Sequence, residues 1–393
     1  MNKILNIVSI VLIVIPLMSM VSYYLTTKNF FKTSNLAENL FFSKKTDKLP
    51  DIYYIILDGY ARGDVLKQIY NYDNSSFLEY LTNKGFYIGH KSRANYAQTY
   101  LSMTSALNFD YIPNLNNNLD SESEDRSFLK TAIANNLLFK VLKKNGYLIA
   151  SVPGTWEEDS LYEDIRIKSS YMYLNDFTTN LIGITPISPL LPIKKIQLKL
   201  RRNNIIDSIR LVSKIKDIDL PTFVYAHFVI PHPPFLFGKS GEPVIPSGMI
   251  VGKDGSHYFK YYPGRQKYRK QYRDQVSFLN TLVQKMIDEI LEKSIDPPVI
   301  ILQSDHGPGS LTDWEDHEQT NMKERLSILN AYYVPESWKT DLYPSITPVN
   351  TFRVINNNLF GSRLEILPDR SYFSKWKQPY NFIDVTELLN SND

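Results

Sequence analysis

Asp58, Asp305 and His306 are the residues of this chain best suited by type and setting to hold a divalent cation. Asp58 ends the run DIYYIILD and is followed by Gly59; Asp305, His306 and Gly307 end PVIILQSDHG. Carboxylate oxygen and imidazole nitrogen together are a common ligand set for such ions, and an adjoining glycine lets the backbone approach closely. Between the two runs lies NYAQTYLSMTSALN, Asn95 to Asn108, whose second part reads as a helix with Thr99 near its start. A hydroxyl at a helix N-terminus beside a cation can lose its proton and attack a phosphorus or sulfur centre whose oxygens face the same positive end. Thr99 is therefore the expected nucleophile, and its oxygen the fourth donor of one four-coordinate site with Asp58, Asp305 and His306. A second ion would need another cluster of carboxylate and histidines, and none is evident between Thr99 and Asp305, so one ion is expected. Two further histidines are candidate substrate contacts. His232 sits in PHPPF, where proline on both sides fixes the backbone and projects the ring; His227 lies inside the preceding apolar run, where a lone histidine is more often a satisfied core residue, and it ranks lower. His317, in TDWEDHEQT, reads as a solvent-exposed loop histidine.

These residues can meet only if a sheet brings their segments together. Ile52 to Leu57 and Pro298 to Ser304 are apolar without alternation, the pattern of strands buried on both faces of a parallel sheet. Ligands of such sheets bind outside the carboxyl ends of the strands, which is where Asp58 and Asp305 fall. Thr222 to Ile230, Tyr147 to Val152 and Ser327 to Val334 read as further strands. Helices are expected from Val65 to Lys84, closed by Gly85, from Phe128 to Lys144, stopped at Gly146, from Gly264 to Ser294 and from Pro348 to Phe360. Asp110 to Ser127, rich in Asn, Asp and Ser, reads as an exposed loop at the rim of the site. The alternation predicts an α/β fold with a mostly parallel sheet and helices on both faces.

Taken in order, YYIILDGYAR, NYAQTYLS, HFVIPHPPF and LQSDHG resemble the sulfatase-like branch of the alkaline-phosphatase superfamily. The likeness is closest to its membrane-anchored phosphotransferases, such as lipoteichoic acid synthase and phosphoethanolamine transferases. NAYYVP and LPDRSYFS look like parts of a bacterial subgroup of that branch. The resemblance implies that His232, matching the family's H-x-P-F histidine, contacts the transferred group or the leaving oxygen. True sulfatases carry an oxidised Cys or Ser in a C/S-x-P-x-R element; Thr99-Tyr100-Leu101-Ser102-Met103 has neither that proline nor that arginine, which places sulfate chemistry second.

Bulk composition narrows the classes. A chain of 393 residues with 43% hydrophobic content has room for one large α/β domain, and a formal charge of +3 gives no reason to invoke nucleic acid. The absence of cysteine excludes disulfides, thiolate metal sites and a cysteine nucleophile. Ile4 to Leu25 is uncharged and apolar over about the 20 residues needed to cross a bilayer, with Tyr23 and Tyr24 placed for an interfacial belt. No small-x-small cleavage site follows. The expected organisation is an uncleaved anchor over 1–27, a polar tether over 28–49 and a sulfatase-like domain over 50–393. Lys3 on one side and Lys28 and Lys32 on the other leave the orientation open; the resemblance implies a catalytic domain outside a bacterial cytoplasm. Within 155–202, the proline-broken Leu181 to Ile193 and the basic KKIQLKLRR after it read either as a core-packing insertion with a solvated helix or as a surface resting on anionic lipid.

The combined expectation is a single-pass membrane enzyme using one Mn2+, Zn2+, Mg2+ or Ca2+ ion. It would move a phosphoglycerol- or phosphoethanolamine-type group from a phospholipid donor to a glycan or lipid through phosphothreonine. The alternatives are a sulfuric or phosphoric ester hydrolase of the same family and a membrane-tethered glycan-binding protein without catalysis.

Overall fold

The computed structural model describes residues 49–152, 161–171, 193–215, 220–246, 253–262 and 264–390, together with Lys3, 6–15 and 17–18 near the N-terminus. Residues 6–15 are helical, and the side chains from Ile7 to Ile15 described among them are exposed. Among the described residues no helix is long and apolar enough to cross a membrane. The expected span Ile4 to Leu25 extends beyond them, and the tether, apart from Leu49, lies outside them.

Seven strands form one sheet: β1 (Ile52–Leu57), β2 (Tyr87–Ile88), β3 (Leu148–Val152), β4 (Ile165–Arg166), β5 (Thr222–Phe228), β6 (Val299–Gln303) and β7 (Asn330–Tyr333). Their spatial order is β2-β7-β6-β1-β5-β3-β4. β1 lies between β5 and β6 and is parallel to both, β3 is parallel to β5 and β4, and β7 runs antiparallel to β6 and β2. The fold is therefore α/β with a mostly parallel sheet, as the apolar runs predict.

β1 is buried along its whole length because both faces are covered. Tyr53, Ile55 and Leu57 point to one layer, against Tyr272, Val276 and Leu279 of the long helix Arg265–Lys293 and Ile205 and Ile209 of the helix Ile193–Val212. Ile52, Tyr54 and Ile56 point to the other, against Met103 and Leu107 of the helix Thr99–Asn108 and Phe352 and Ile355 of the helix Pro348–Phe360. With this period of two, every β1 side chain contributes apolar burial of roughly 1.5–3 kcal/mol if large. Ile55→Ala would cost about 2–5 kcal/mol.

Two expected helices are each broken in two. The stretch from Val65 to Lys84 is Gly63–Tyr70 and Ser75–Asn83, parted where Asn71 turns left-handed at φ 50°. The stretch from Phe128 to Lys144 is Ser127–Ala134 and Leu137–Lys144, because the Asn136 side chain accepts from Phe139 N and starts a new helix. Asp110 to Ser127 includes one short helical turn, Ile112–Leu115. Most of 155–192 lies outside the described residues. The described basic part begins a helix that runs past residue 202 to Val212 and packs Leu198, Ile205 and Ile209 into the core, leaving Lys195, Ile196 and Lys199 exposed.

Candidate active site

The parallel run of β5, β1 and β6 sets three carboxyl ends side by side, with Ile56 level with both His227 and Gln303. The chain leaving β1 is fixed at once: Asp58 N donates to Phe228 O at 3.0 Å, and Asp58 O accepts from His232 N at 3.0 Å. Gly59 then takes φ +76°, a conformation that favours glycine. Its N–H donates to Asp305 Oδ1 at 3.2 Å, and Tyr60 N donates to Ser304 Oγ at 2.8 Å. These two rungs tie the loop after β1 to the loop after β6.

Thr99 is the first residue of its helix, and Gln98 before it is extended. The Gln98 side chain donates to Ser374 O at 3.2 Å and Lys375 O at 3.1 Å and accepts from Arg126 Nη2 at 2.9 Å, so the C-terminal region holds the helix start. Within the first turn, Ser102 Oγ donates to Asp305 O at 2.7 Å. The nucleophile candidate is thus pinned to the segment that carries the ligand candidates.

The four expected residues converge. Thr99 Oγ1 lies 2.9 Å from His306 Nε2. The same nitrogen is 3.3 Å from Asp305 Oδ2 and 3.5 Å from Asp58 Oδ1. His306 Nδ1 donates to Gly307 O at 2.9 Å, which fixes the tautomer and turns Nε2 inward as a lone pair. Ligand atoms of Asp58, Asp305 and His306 all lie within 4.8 Å of one another.

The residues fit a divalent cation. Asp58 Oδ1 and Asp305 Oδ2 are buried oxygens with no hydrogen-bond partner, an expensive state for carboxylates unless something positive completes it. Burial first, and the neighbouring Asp305 charge second, push Asp58 up to about 7. Asp305 moves the other way: burial would raise it, but His306 and His227 when protonated, and in any state a hydrogen bond from Thr99 and the Gly59 N–H, draw it below the ordinary carboxylate range. Burial, reinforced by Arg325, drives His306 down to about 3, so the imidazole is neutral and its Nε2 is available as a ligand.

His232 and His227 hold different places. His232 N is bonded to Asp58, its Nδ1 donates to Pro233 O at 2.7 Å, and its ring centroid is 6.2 Å from that of His306. His227, inside β5, has Nε2 3.8 Å from Asp58 Oδ2, so it stands behind a ligand candidate. His317 lies in a loop, only partly exposed and outside the cluster. Two charged residues beside the site, Asp254 and Arg325, had no sequence signal: neither ends a strand, and both sit in polar stretches. Arg325 Nη1 is 2.8 Å from Asp254 Oδ2, with side chains 2% and 3% exposed. Burial would raise Asp254, but His232 and then Arg325 outweigh it and hold its carboxyl below the usual range.

No family model and no curated protein matches the sequence. Solved structures do. The crystal structure of the C-terminal periplasmic domain of EcEptC from Escherichia coli in complex with Zn matches with a TM-score of 0.52 at 11% identity, over 87% of this chain and 94% of that one. The C-terminal periplasmic domain of phosphoethanolamine transferase EptC from Campylobacter jejuni follows, with a TM-score of 0.47 and 12% identity over 82% of this chain and 92% of that one. A putative sulfatase from Bacteroides thetaiotaomicron has a TM-score of 0.49 at 12% identity, over 84% and 79% of the two chains. The chain therefore has the α/β fold of the EcEptC periplasmic domain.

Proposed function

We propose that the chain is a metal-dependent phosphotransferase, acting outside the cytoplasm, that moves a phospho-alcohol group from a lipid donor to a glycan or lipid acceptor through a phosphothreonine at Thr99. The observation that carries this reading is Thr99 Oγ1 at the start of a helix, 2.9 Å from His306 Nε2, beside two buried carboxylate oxygens with no hydrogen-bond partner. Asp58, Asp305, His306 and the Thr99 oxygen would hold one divalent ion; zinc is favoured by the zinc complex of the similarly folded EcEptC domain. When bound, such an ion supplies Lewis-acid activation of the threonine hydroxyl and neutralises charge on the phosphoryl oxygens.

The residues divide the remaining work. The Thr99 hydroxyl, whose proton would pass to solvent once an ion is bound, forms the new O–P bond through Oγ1 while the donor's ester oxygen departs, and the first amides of its helix would receive the phosphoryl oxygens. His232 Nδ1–H is committed to Pro233 O, so Nε2 is the atom that exchanges protons. As imidazolium it gives the Nε2 proton to the leaving oxygen; as neutral imidazole it takes one from the acceptor hydroxyl, which then displaces Thr99. His227, behind Asp58, lies with Nε2 3.8 Å from that carboxylate and adds polarity to its surroundings. A membrane location is supported by the exposed apolar side chains of residues 6–15 and the exposed Lys195, Ile196 and Lys199.

The test compares a chromogenic phosphodiester, bis(4-nitrophenyl) phosphate, with an aryl sulfate on metal-loaded protein. The reading expects metal-dependent release from the phosphodiester and little from the sulfate; the reverse order would move the chain to sulfate ester hydrolysis, and release from neither would favour the glycan-binding alternative.

A further inference from the structure

We infer that Arg325 is a positioning residue that keeps Thr99 and His306 in register, an inference that rests on the metal and Thr99 reading above. Arg325 belongs to the short helix Met322–Leu326. Its guanidinium reaches both segments that meet at the site. Nε donates to Ala97 O at 2.8 Å, two residues before Thr99, and Nη1 donates to Gly307 O at 3.0 Å, one residue after His306. The same Nη1 donates to Asp254 Oδ2 at 2.8 Å.

Residue 307 is gripped at both of its backbone groups. Gly307 N donates to Arg325 O at 2.7 Å, and Gly307 O accepts from the Arg325 side chain. That carbonyl is also the one that takes the proton of His306 Nδ1 at 2.9 Å. Arg325 therefore fixes the group that sets the tautomer and ring angle of His306, and the outer partner of a ligating histidine governs both. The grip needs glycine: a β-carbon at 307 would lie 2.0 Å from Glu324 O.

The remaining contacts hold the guanidinium still. Asp254 takes one donor and is itself held by Tyr268 Oη at 2.6 Å, while the Trp314 ring covers the flat face, with the guanidinium carbon 4.8 Å from its centroid. A planar fork of donors can bridge two carbonyls at fixed separation; a lysine ammonium is a point charge on a flexible stem and cannot. Every donor named here is spent on the protein, so Arg325 acts through Thr99 and His306.

The experiment compares wild type with Arg325→Lys, using Co2+ as a spectroscopic metal and bis(4-nitrophenyl) phosphate as the probe. In Arg325→Lys the Co2+ dissociation constant should rise about 10- to 100-fold. The visible Co2+ absorption should change shape, and kcat should fall with KM for the probe little altered. If circular dichroism shows that Arg325→Lys does not fold, Arg325→Gln, which keeps amide donors without the charge, carries the same measurements. A lower melting temperature with unchanged Co2+ spectrum, affinity and kcat would overturn the inference and leave Arg325 a stabilising residue only. Wild type that neither binds Co2+ nor cleaves the probe would bring down the metal reading itself, and this inference with it.

Discussion

Two charged groups are buried side by side in this molecule, and they are finished in opposite ways. Arg325 and Asp254 form a matched pair in which the guanidinium is satisfied by Asp254 Oδ2, Ala97 O and Gly307 O, and the carboxylate also by Tyr268 Oη. Asp58 and Asp305 are instead set close to each other around a neutral His306, with Asp58 Oδ1 and Asp305 Oδ2 lacking any hydrogen-bond partner. A buried charge that is neither paired nor hydrogen-bonded is expensive. The satisfied pair holds backbone; the unsatisfied group has the donor atoms to take a cation. That contrast separates scaffold from chemistry a few ångströms apart.

The contrast can be broken most sharply at Thr99. Thr99→Ala should reduce phosphodiester turnover by at least about 10³-fold, while the fold and most of the metal affinity, carried by Asp58, Asp305 and His306, survive; metal titration with steady-state kinetics checks both halves. Stability comes next, and here the two groups should respond in opposite directions. Asp254→Ala leaves Arg325 buried without its counter-charge and should destabilise the protein by about 3–5 kcal/mol. Asp58→Asn removes a carboxylate that the metal-free protein cannot satisfy, so chemical denaturation should find the metal-free protein unchanged or more stable, with stabilisation by added Zn2+ or Mn2+ lost.

The pH dependence sharpens the same point. Asp58 is raised from 3.8 to about 7 in the fold, and Glu324, desolvated by burial, from 4.5 to about 7. As pH rises from about 4 to about 7 the unfolded chain loses these two protons first, so Asp58 and Glu324 each contribute a fall in the stability of the metal-free protein through that window, while His306, held at about 3 in the fold, contributes in the opposite sense. A divalent ion competes with the Asp58 proton, so the shift in melting temperature produced by Mn2+ should grow over the same window; a metal-induced shift that shrinks as pH rises would contradict the ligand assignment. The smallest effect is expected on the exposed basic face. Neutralising Lys195 and Lys199 should weaken partitioning onto anionic liposomes by about 1 kcal/mol per lysine, and unchanged partitioning would remove that face from membrane contact.

What the residues disclose before folding follows from where the physics is local. Ile52 to Leu57 and Val299 to Leu302 are continuous apolar runs, so their burial, their place in a parallel sheet and the importance of the residues soon after them can all be read from the chain. Thr99 is recognisable as a helix start for the same reason. Breaks that hang on one asparagine are harder: Asn71 in the left-handed region and Asn136 as a cap each split a segment whose apolar pattern continues across it. The two-residue strands β2 and β4 are too short to carry a period. Arg325 and Asp254 were not legible, because their role depends on three segments meeting and neither stands beside a local signal. Trp314 likewise hides as a fully buried ring in a stretch that is otherwise polar.

The central claim is that a threonine oxygen becomes a covalent carrier beside the Asp58, Asp305 and His306 cluster. Intact-mass analysis of the protein after incubation with divalent metal and a total bacterial lipid extract, followed by peptide mapping, tests it directly. The account predicts a single added phospho-alcohol mass on Thr99 that is absent from Thr99→Ala and from chelator-treated protein. An adduct on Ser102 or any other residue, or metal-dependent turnover undiminished in Thr99→Ala, would contradict it.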